Sequence, residues 1–396
     1  MRARREAGYA DTLRMIDNAP WEQATVDPIE GVIEPLIHFA APHPQAAPQG
    51  VRRLDPEKTM MDLMLFSAAV AIATLCAGLM GYAIQRGATC TVAAVDELLS
   101  KRRANRLIAM GEASLWVAGG LALAGVLHAL PAMPAAYAVS VWTFVGGALL
   151  GFGAWVNQAC VFGAIARFGS GEWSYVATPV GFYVGCLTVG PLFAAPVVNK
   201  LAESSPVLRW SGVVATLFIV FASWRVLPPL LAAWADRRTV QPLSERGRGL
   251  AARVWSPHAT TGVIGVTFVI ILLLVGVWAY TDVLAQLARG NAMRLALGVL
   301  CLVALYVGAL LGGWTAGRLR NTPPNVAAVA RCFAGGVLMA WGSLLIPGSN
   351  DGLILIGMPL LWPYAWLAFA TMCVTIGVAQ MFAKSRATRA AVMDAR

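Results

Sequence analysis

The sequence predicts an all-α polytopic membrane protein, with about nine transmembrane helices plus short re-entrant half-helices in two inverted-topology repeats. Composition is the first reason: the 396 residues are 58% hydrophobic and only 13% charged, whereas soluble domains are roughly a quarter charged. The second reason is the distribution of the apolar residues. They lie in separate runs of roughly 20 residues, the length that crosses a hydrocarbon core of about 30 Å.

These runs divide the chain into two membrane repeats with polar segments around them. Residues 1–60 are polar and proline-rich and predict a flexible N-terminal tail. A first membrane repeat over 61–235, a basic cytoplasmic linker over 236–257, a second repeat over 258–383 and a C-terminal tail over 384–396 follow. The predicted spans lie near 62–84, 106–128, 134–156, 173–195, 211–234, 259–280, 295–317, 327–346 and 363–382.

Three apolar pieces are too short to be spans. They cover 89–100, 160–169 and 352–361, and pieces of about ten residues are typical of re-entrant or interfacial segments. Irregular backbone at membrane depth is tolerated only where protein or a cavity surrounds it. We therefore expect three broken helices inside the bundle.

Two stretches of the sequence resemble each other. Residues 145–168 and 334–357 both contain Gly-Gly, a leucine-containing stretch, small residues, a polar break and a short apolar run. They fall on the third and eighth predicted spans. An offset of five spans is odd, so the copies run in opposite directions, which predicts an inverted repeat of the kind common in secondary transporters.

The net charge of +10 predicts membrane topology. The basic residues lie between apolar runs, which is the pattern of the positive-inside rule, and nucleic acid is not an expected partner. The predicted protein is multi-pass in the cell inner (plasma) membrane, in contact with the lipid bilayer, with its C-terminus cytoplasmic and its N-terminal tail outside. The residues on the basic side are Lys101, Arg102, Arg103, Arg106, Arg167, Arg237, Arg238, Arg246, Arg248, Arg253, Arg318, Arg320, Lys384, Arg386 and Arg389.

Motifs for metals, cofactors and nucleotides are missing from the sequence. The seven cysteines and four histidines form no cluster with metal-ligand spacing. The chain also lacks the GxxxxGK[ST] pattern that cradles phosphates. We therefore expect no cofactor, no metal and no bound nucleotide.

The first predicted span ends in "QRGATC". Thr89 is the predicted N-cap of the short helix that follows, which places Cys90 in its first turn, where free N–H groups favour anions. Arg86 has two interpretations. An arginine at a span end is usually a topology anchor that snorkels to the headgroups, or, beside a broken helix, part of a substrate path.

The third predicted span ends in the same way. Polar Asn157 and Gln158 precede Cys160, and another short helix follows. Polar groups at such breaks mark substrate sites in membrane proteins. A lone cysteine in a membrane helix is more often a packing residue, and so we interpret Cys76, Cys186, Cys301 and Cys373. Cys90 and Cys160 are singled out by their shared context.

The stretches "GLMGYAIQRGATCTVAAV", "GGALLGFGAWVNQACVFGAI" and "GGVLMAWG" resemble motifs of the YeeE/YedE family of sulphur-transport membrane proteins. The resemblance covers most of residues 62–382. It implies an inner-membrane protein with inverted halves that takes up thiosulfate, or a related sulphur anion, along a narrow path of thiols. It assigns Cys90 and Cys160 to that path, and Arg86, Gly87 and Asn157 lie at the same breaks. A cytoplasmic sulphurtransferase is a candidate partner.

The second half departs from the family pattern. Its break reads "PGSNDG", with Ser349 where the family usually has a cysteine and Asp351 two residues later. We keep Ser349 as a candidate path residue. Asp351 either caps the short helix that follows or repels a dianion, and this choice leaves the exact transported ion open.

Two alternative functions are retained. In the first alternative, the chain is a membrane sulphur carrier or a sulphurtransferase-associated protein with a persulfidated cysteine. In the second, it is a structural subunit of a membrane complex. No histidine or acidic base stands in the two cysteine motifs to activate a thiol. A transporter or channel without enzymatic activity is therefore the leading hypothesis.

Overall fold

The computed structural model describes residues 56–189, 191, 199–201, 205–236, 255–290, 295–346 and 348–394. Residues 1–55 of the predicted tail and 237–254 of the predicted linker lie outside this part. The α-helices are α1 Pro56–Gly87, α2 Thr91–Lys101, α3 Asn105–Val126, α4 Val141–Asn157, α5 Val161–Gly169, α6 Ala177–Thr188, α7 Pro206–Arg209, α8 Ser211–Asp236, α9 Pro257–Val275, α10 Tyr280–Ala288, α11 Leu295–Thr315, α12 Val326–Leu345, α13 Asn350–Gly352 and α14 Pro363–Asp394. Short elements complete the described fold: 3₁₀-helix Trp173–Val176, π-helix Leu353–Gly357, and antiparallel strands β1 Ala136–Tyr137 and β2 Lys200–Leu201.

The all-α polytopic fold predicted from composition is confirmed. Within the described residues, eight segments are long and apolar enough to cross a membrane. Two of them join a long helix to the short helix after it, over Met64–Lys101 and Val141–Gly169. The predicted span at 173–195 is not among the eight: its described residues form a 3₁₀ turn and the 12-residue α6, and residues 190 and 192–195 lie outside the described part. At 1.5 Å per residue such a helix is about 18 Å long, short of the roughly 30 Å core.

The broken helices are more numerous than the sequence predicted. The expected short pieces at 89–100 and 160–169 correspond to α2 and α5, and the piece at 352–361 overlaps α13 and the π-helix. A fourth break lies inside the predicted span 259–280, because α9 ends at Val275 and α10 begins at Tyr280. Residues 384–394 of the predicted C-terminal tail continue α14 as helix.

The helix contacts of the two halves correspond. α1 packs on α11, and α9 packs on α3; α12 packs on α6, and α4 packs on α14. Helices α1, α3, α4 and α6 of the first half correspond in order to α9, α11, α12 and α14 of the second half. When each helix is exchanged for its counterpart, the α1–α11 contact becomes the α9–α3 contact, and the α12–α6 contact becomes the α4–α14 contact. α1 also packs on α9, and α4 on α12. This exchange is the packing expected of an internal repeat, which remains a prediction.

Glycines allow the helices at the centre of the bundle to approach closely. A Cβ added to Gly146 would lie 2.7 Å from the carbonyl oxygen of Gly342, and one added to Gly153 would lie 2.9 Å from that of Gly335. The early part of α4 thus meets the late part of α12, and the reverse, so the two helices are antiparallel. The resembling stretches 145–168 and 334–357 therefore begin on oppositely directed helices, as an inverted repeat requires.

Helix α8 lies at the edge of the described bundle and has no counterpart in the exchange of halves. It packs on α3, where Arg225 donates to Glu112 through Nε at 2.8 Å and Nη2 at 3.1 Å. The aromatic ring of Phe218 meets Trp116 edge-on. Phe221 meets the same tryptophan edge-on, and the outer side of α8 exposes large apolar side chains.

Candidate functional site: a junction of four helix N-termini

Each of the four breaks uses the same backbone device. A residue with positive φ follows the long helix: Ala88 at 47°, Gln158 at 61°, Gly276 at 93° and Gly348 at 139°. An extended residue then serves as N-cap of the short helix; these caps are Cys90, Cys160, Ala279 and Ser349. The sequence predicted Thr89 as the N-cap of the first short helix, but Cys90 occupies that position. The turn removes the first N–H groups of each short helix from helical bonding and leaves them to other partners.

The first two short helices bring two thiols together. Cys90 Sγ packs against Gly163, in the helix α5 that follows Cys160, and both cysteines are free and buried in the core. The backbone N–H of Thr91, the first residue of α2, donates to Cys160 Sγ at 3.1 Å. The thiol pair thus lies at the positive end of α2, where the Cys160 sulphur accepts a hydrogen bond from a helix amide.

The second pair of short helices brings together two hydroxyls and a carboxylate. Asp351 Oδ1 accepts from Thr281 Oγ1 at 2.7 Å and also from Ser349 Oγ. The backbone N–H of Thr281, in the first turn of α10, donates to Asp351 Oδ2 at 3.4 Å. All three residues are at most 2% exposed. The proposed capping of its own helix is therefore not what Asp351 does, since its carboxylate reaches the N-terminus of α10.

Two contacts join these groups into one central junction, which comprises Cys90, Thr91, Cys160, Tyr280, Thr281, Ser349, Asn350 and Asp351. Thr91 Oγ1 lies 3.5 Å from Asn350 Oδ1, and Tyr280 OH donates to the carbonyl of Val161 at 3.3 Å. Asn350 is fully buried, and its Nδ2 has no hydrogen-bond partner among the described residues. A buried amide donor without a partner costs free energy, so the junction is one acceptor short.

A small cavity lies against the junction. Its walls come from α1, α5, α10, α11, α13, the break before α10 and the π-helix, and Asp351 is among the lining residues. Its volume of about 10 Å³ corresponds to one water molecule. The lining residues are Met80, Ile84, Phe162, Trp278, Ala279, Tyr280, Leu305, Asp351 and Leu355. A thiosulfate ion does not fit there without movement of the walls.

Arg86 is buried at the C-terminal end of α1 and is only 2% exposed. Its Nη2 donates to Tyr82 OH at 2.9 Å and to Thr315 Oγ1 at 2.7 Å. Nε and Nη1 have no partner. The interpretation as a snorkelling anchor is wrong, because the guanidinium does not reach the surface. Gly87 packs against Thr260 of α9, where a Cβ would overlap the Thr260 side chain.

Asn157 holds the break between α4 and α5. Its Nδ2 donates to the carbonyl of Ala159 at 2.8 Å, and its Oδ1 accepts from Thr178 Oγ1 at 3.0 Å. Tyr175 OH donates to its backbone carbonyl at 3.3 Å. With these bonds made, Asn157 fixes the turn that presents Cys160. The structure thus brings Cys90, Cys160 and Ser349 to the junction, and it leaves Arg86, Gly87 and Asn157 in supporting positions.

Sequence reasoning missed Thr91, Thr281 and Asn350. Both threonines lie in the first turn of a short helix, and each backbone amide donates to a side chain of another short helix. The sequence signal for the break before α10 is weak, since only Gly276 marks it within the apolar run. Asn350 lies between two other polar residues, Ser349 and Asp351, and no spacing distinguishes it from them.

Broken helices that meet inside a bundle of membrane-crossing helices define a multi-pass membrane protein of the transport class. The sequence model of the family described as Sulphur transport matches residues 86–378. The chain belongs to this family, the YeeE/YedE sulphur transport family, as the three quoted motifs predicted. Among curated proteins no match was found.

Proposed function

We propose that this protein imports a small sulphur-containing anion, most simply thiosulfate, across the cell inner membrane through the central junction. The observation that carries the proposal is the pair of buried cysteines at the N-terminus of α2, where the N–H of Thr91, next to Cys90, donates to Cys160 Sγ. A neutral thiol is a weak donor and a weak acceptor, which suits the soft terminal sulphur of thiosulfate. Membership of a transport family fits a protein without enzymatic activity.

Helix N-termini supply the positive potential that an anion needs. In the described part of the chain, none of the ion pairs involves a junction residue. Partial charges of roughly half a unit at each N-terminus attract a dianion without a fixed cation that would trap it. Weak contacts in series let an ion enter and leave. Ser349 is proposed to line the same path, and Arg86, which lies outside the junction, to attract the anion towards it.

Uptake by liposomes that contain the full chain tests this function. Labelled thiosulfate should accumulate, and Cys90→Ala or Cys160→Ala should lower the rate at least about tenfold, the factor that corresponds to 1.4 kcal/mol of lost interaction. Cys301→Ala is the matched control, because Cys301 is a buried cysteine of α11 outside the junction. Normal uptake in both junction variants would remove the thiols from the mechanism.

The same preparation separates transport from a sulphur-carrier function. A carrier would retain one extra sulphur atom on Cys90 or Cys160 after exposure to a sulphur donor, and a reductant would remove it. Transport predicts unmodified thiols after many turnovers, as measured by mass spectrometry of the intact protein. A retained sulphur atom without uptake would favour the carrier function and a sulphurtransferase partner.

A further inference from the structure

The amides of two short helices are used differently. At α2, the N–H of Thr91 donates to a neutral thiol, Cys160. At α10, the N–H of Thr281 donates to a carboxylate, Asp351. Asp351 therefore occupies, as part of the protein, the kind of position that an anion would take at a helix N-terminus. α10 has nine residues, enough turns to carry the dipole.

The Asp351 carboxyl group is buried and hydrogen-bonded. It accepts three hydrogen bonds, two from Thr281 and one from Ser349, and it is 2% exposed. None of the ion pairs among the described residues involves it. It also lines the water-sized cavity beside the junction. A passing anion would meet an uncompensated negative charge and occupied donors.

From this arrangement, and resting on the proposed function, we infer that Asp351 is a proton-operated gate that couples anion uptake to proton uptake. A proton that binds Oδ2 removes the acceptor of the Thr281 N–H and neutralises the charge. The freed amide, together with the unpartnered Asn350 Nδ2, then donates to the anion. When the anion leaves, the proton leaves with it and the three bonds to Asp351 reform. One proton moves per anion, and no covalent bond changes.

The groups around Asp351 include a second carboxyl group, that of Asp282. Asp282 and Tyr280 of α10 and Tyr306 of α11 lie within electrostatic range. Cys90 and Cys160 complete the titratable groups of the junction. α1 contributes only Met80 and Ile84 to the cavity wall. The neighbouring ionisable groups are thus acids, phenols and thiols, and none of them stabilises the ionised carboxylate as a cation would.

Proton coupling is measured on liposomes with the wild-type chain, using labelled thiosulfate and a pH-sensitive dye in the lumen. Uptake should fall as the pH is raised, since the proposed gate opens only when a proton is bound. Addition of thiosulfate should acidify the lumen. Asp351→Asn, which is nearly isosteric, should transport at a rate independent of pH and without acidification. Asp96→Asn is the matched control, because Asp96 is a partly exposed acid of α2 outside the junction, and it should keep both the pH dependence and the acidification.

The outcomes separate this inference from the function on which it rests. Wild-type uptake that is independent of pH, or acidification that persists in Asp351→Asn, would overturn the gate and leave anion transport intact. An absence of thiosulfate uptake at every pH would overturn both. The wild-type measurements need no variant, so a poorly folding Asp351→Asn would not prevent the test.

Discussion

Single residues decide the chemistry of the junction. Cys160 and Asp351 occupy comparable positions, each accepting a backbone amide from the first turn of another short helix. A thiol in that position carries no charge and exchanges partners easily, whereas a carboxylate binds its donors firmly. At the break before α13, the departure from the family pattern therefore does more than replace a thiol by Ser349. It adds a fixed acid at Asp351 to a path proposed for anions.

Arg86 is the residue for which burial changes the expected result of mutation most. Two of its guanidinium nitrogens are unpartnered, and a buried charge without an acid partner is costly. Arg86→Gln should raise the KM for thiosulfate about tenfold, through a loss of roughly 1.4 kcal/mol of attraction. It should not lower the thermal unfolding midpoint, because it removes that cost. Uptake kinetics and calorimetry measure the two effects.

Arg167→Gln is the control for this prediction. Arg167 forms an ion pair with Glu172, and its side chain is 41% exposed. We expect its KM to stay at the wild-type value, since exposed pairs contribute little. An Arg86→Gln variant with an unchanged KM and a lower unfolding midpoint would make Arg86 a structural residue.

At the scale of elements, close helix crossings fix the positions of the breaks. A Cβ at Gly308 of α11 would overlap the carbonyl of Gly78 on α1. Small residues at such crossings allow membrane helices to approach each other. The crossing of α1 and α11 sits before the first break, so its spacing sets where Cys90 is presented.

Gly308→Ala should therefore destabilise the protein by about 1–3 kcal/mol, the usual cost of overpacking. The thermal unfolding midpoint in detergent measures the change. Gly111→Ala is the matched control, because Gly111 is helical and nothing lies within 4 Å of an added Cβ. It should be neutral or stabilising by up to about 1 kcal/mol. Equal midpoints for the two variants would contradict the close crossing.

At the scale of the whole molecule, orientation follows from charge. The basic side predicted from the loops includes Arg318, Arg320 and Lys384, while Arg289 lies on the other side. Basic loops stay in the cytoplasm, so the C-terminus after α14 is proposed to be cytoplasmic. The two halves of the bundle then present their junction helices from opposite sides.

Reporter fusions test this orientation. A fluorescent protein that matures only in the cytoplasm should be bright when fused after residue 396 or after residue 321. A phosphatase that is active only outside the cytoplasm should be active when fused after residue 290. The opposite pattern at all three positions would reverse the orientation.

The sequence by itself determined the membrane class, most of the spans, three of the four breaks and the two thiols. Apolar length, charge and local turn signals are properties of neighbouring residues, so they can be read along the chain. It did not determine that Cys90 is the N-cap, that Asn157 supports the turn, or that α10 exists. Only tertiary structure decided that Thr281 meets Asp351, seventy residues away, and that Thr91 meets Cys160. Hydrogen bonds between distant segments depend on how helices cross, and no local pattern encodes that distance.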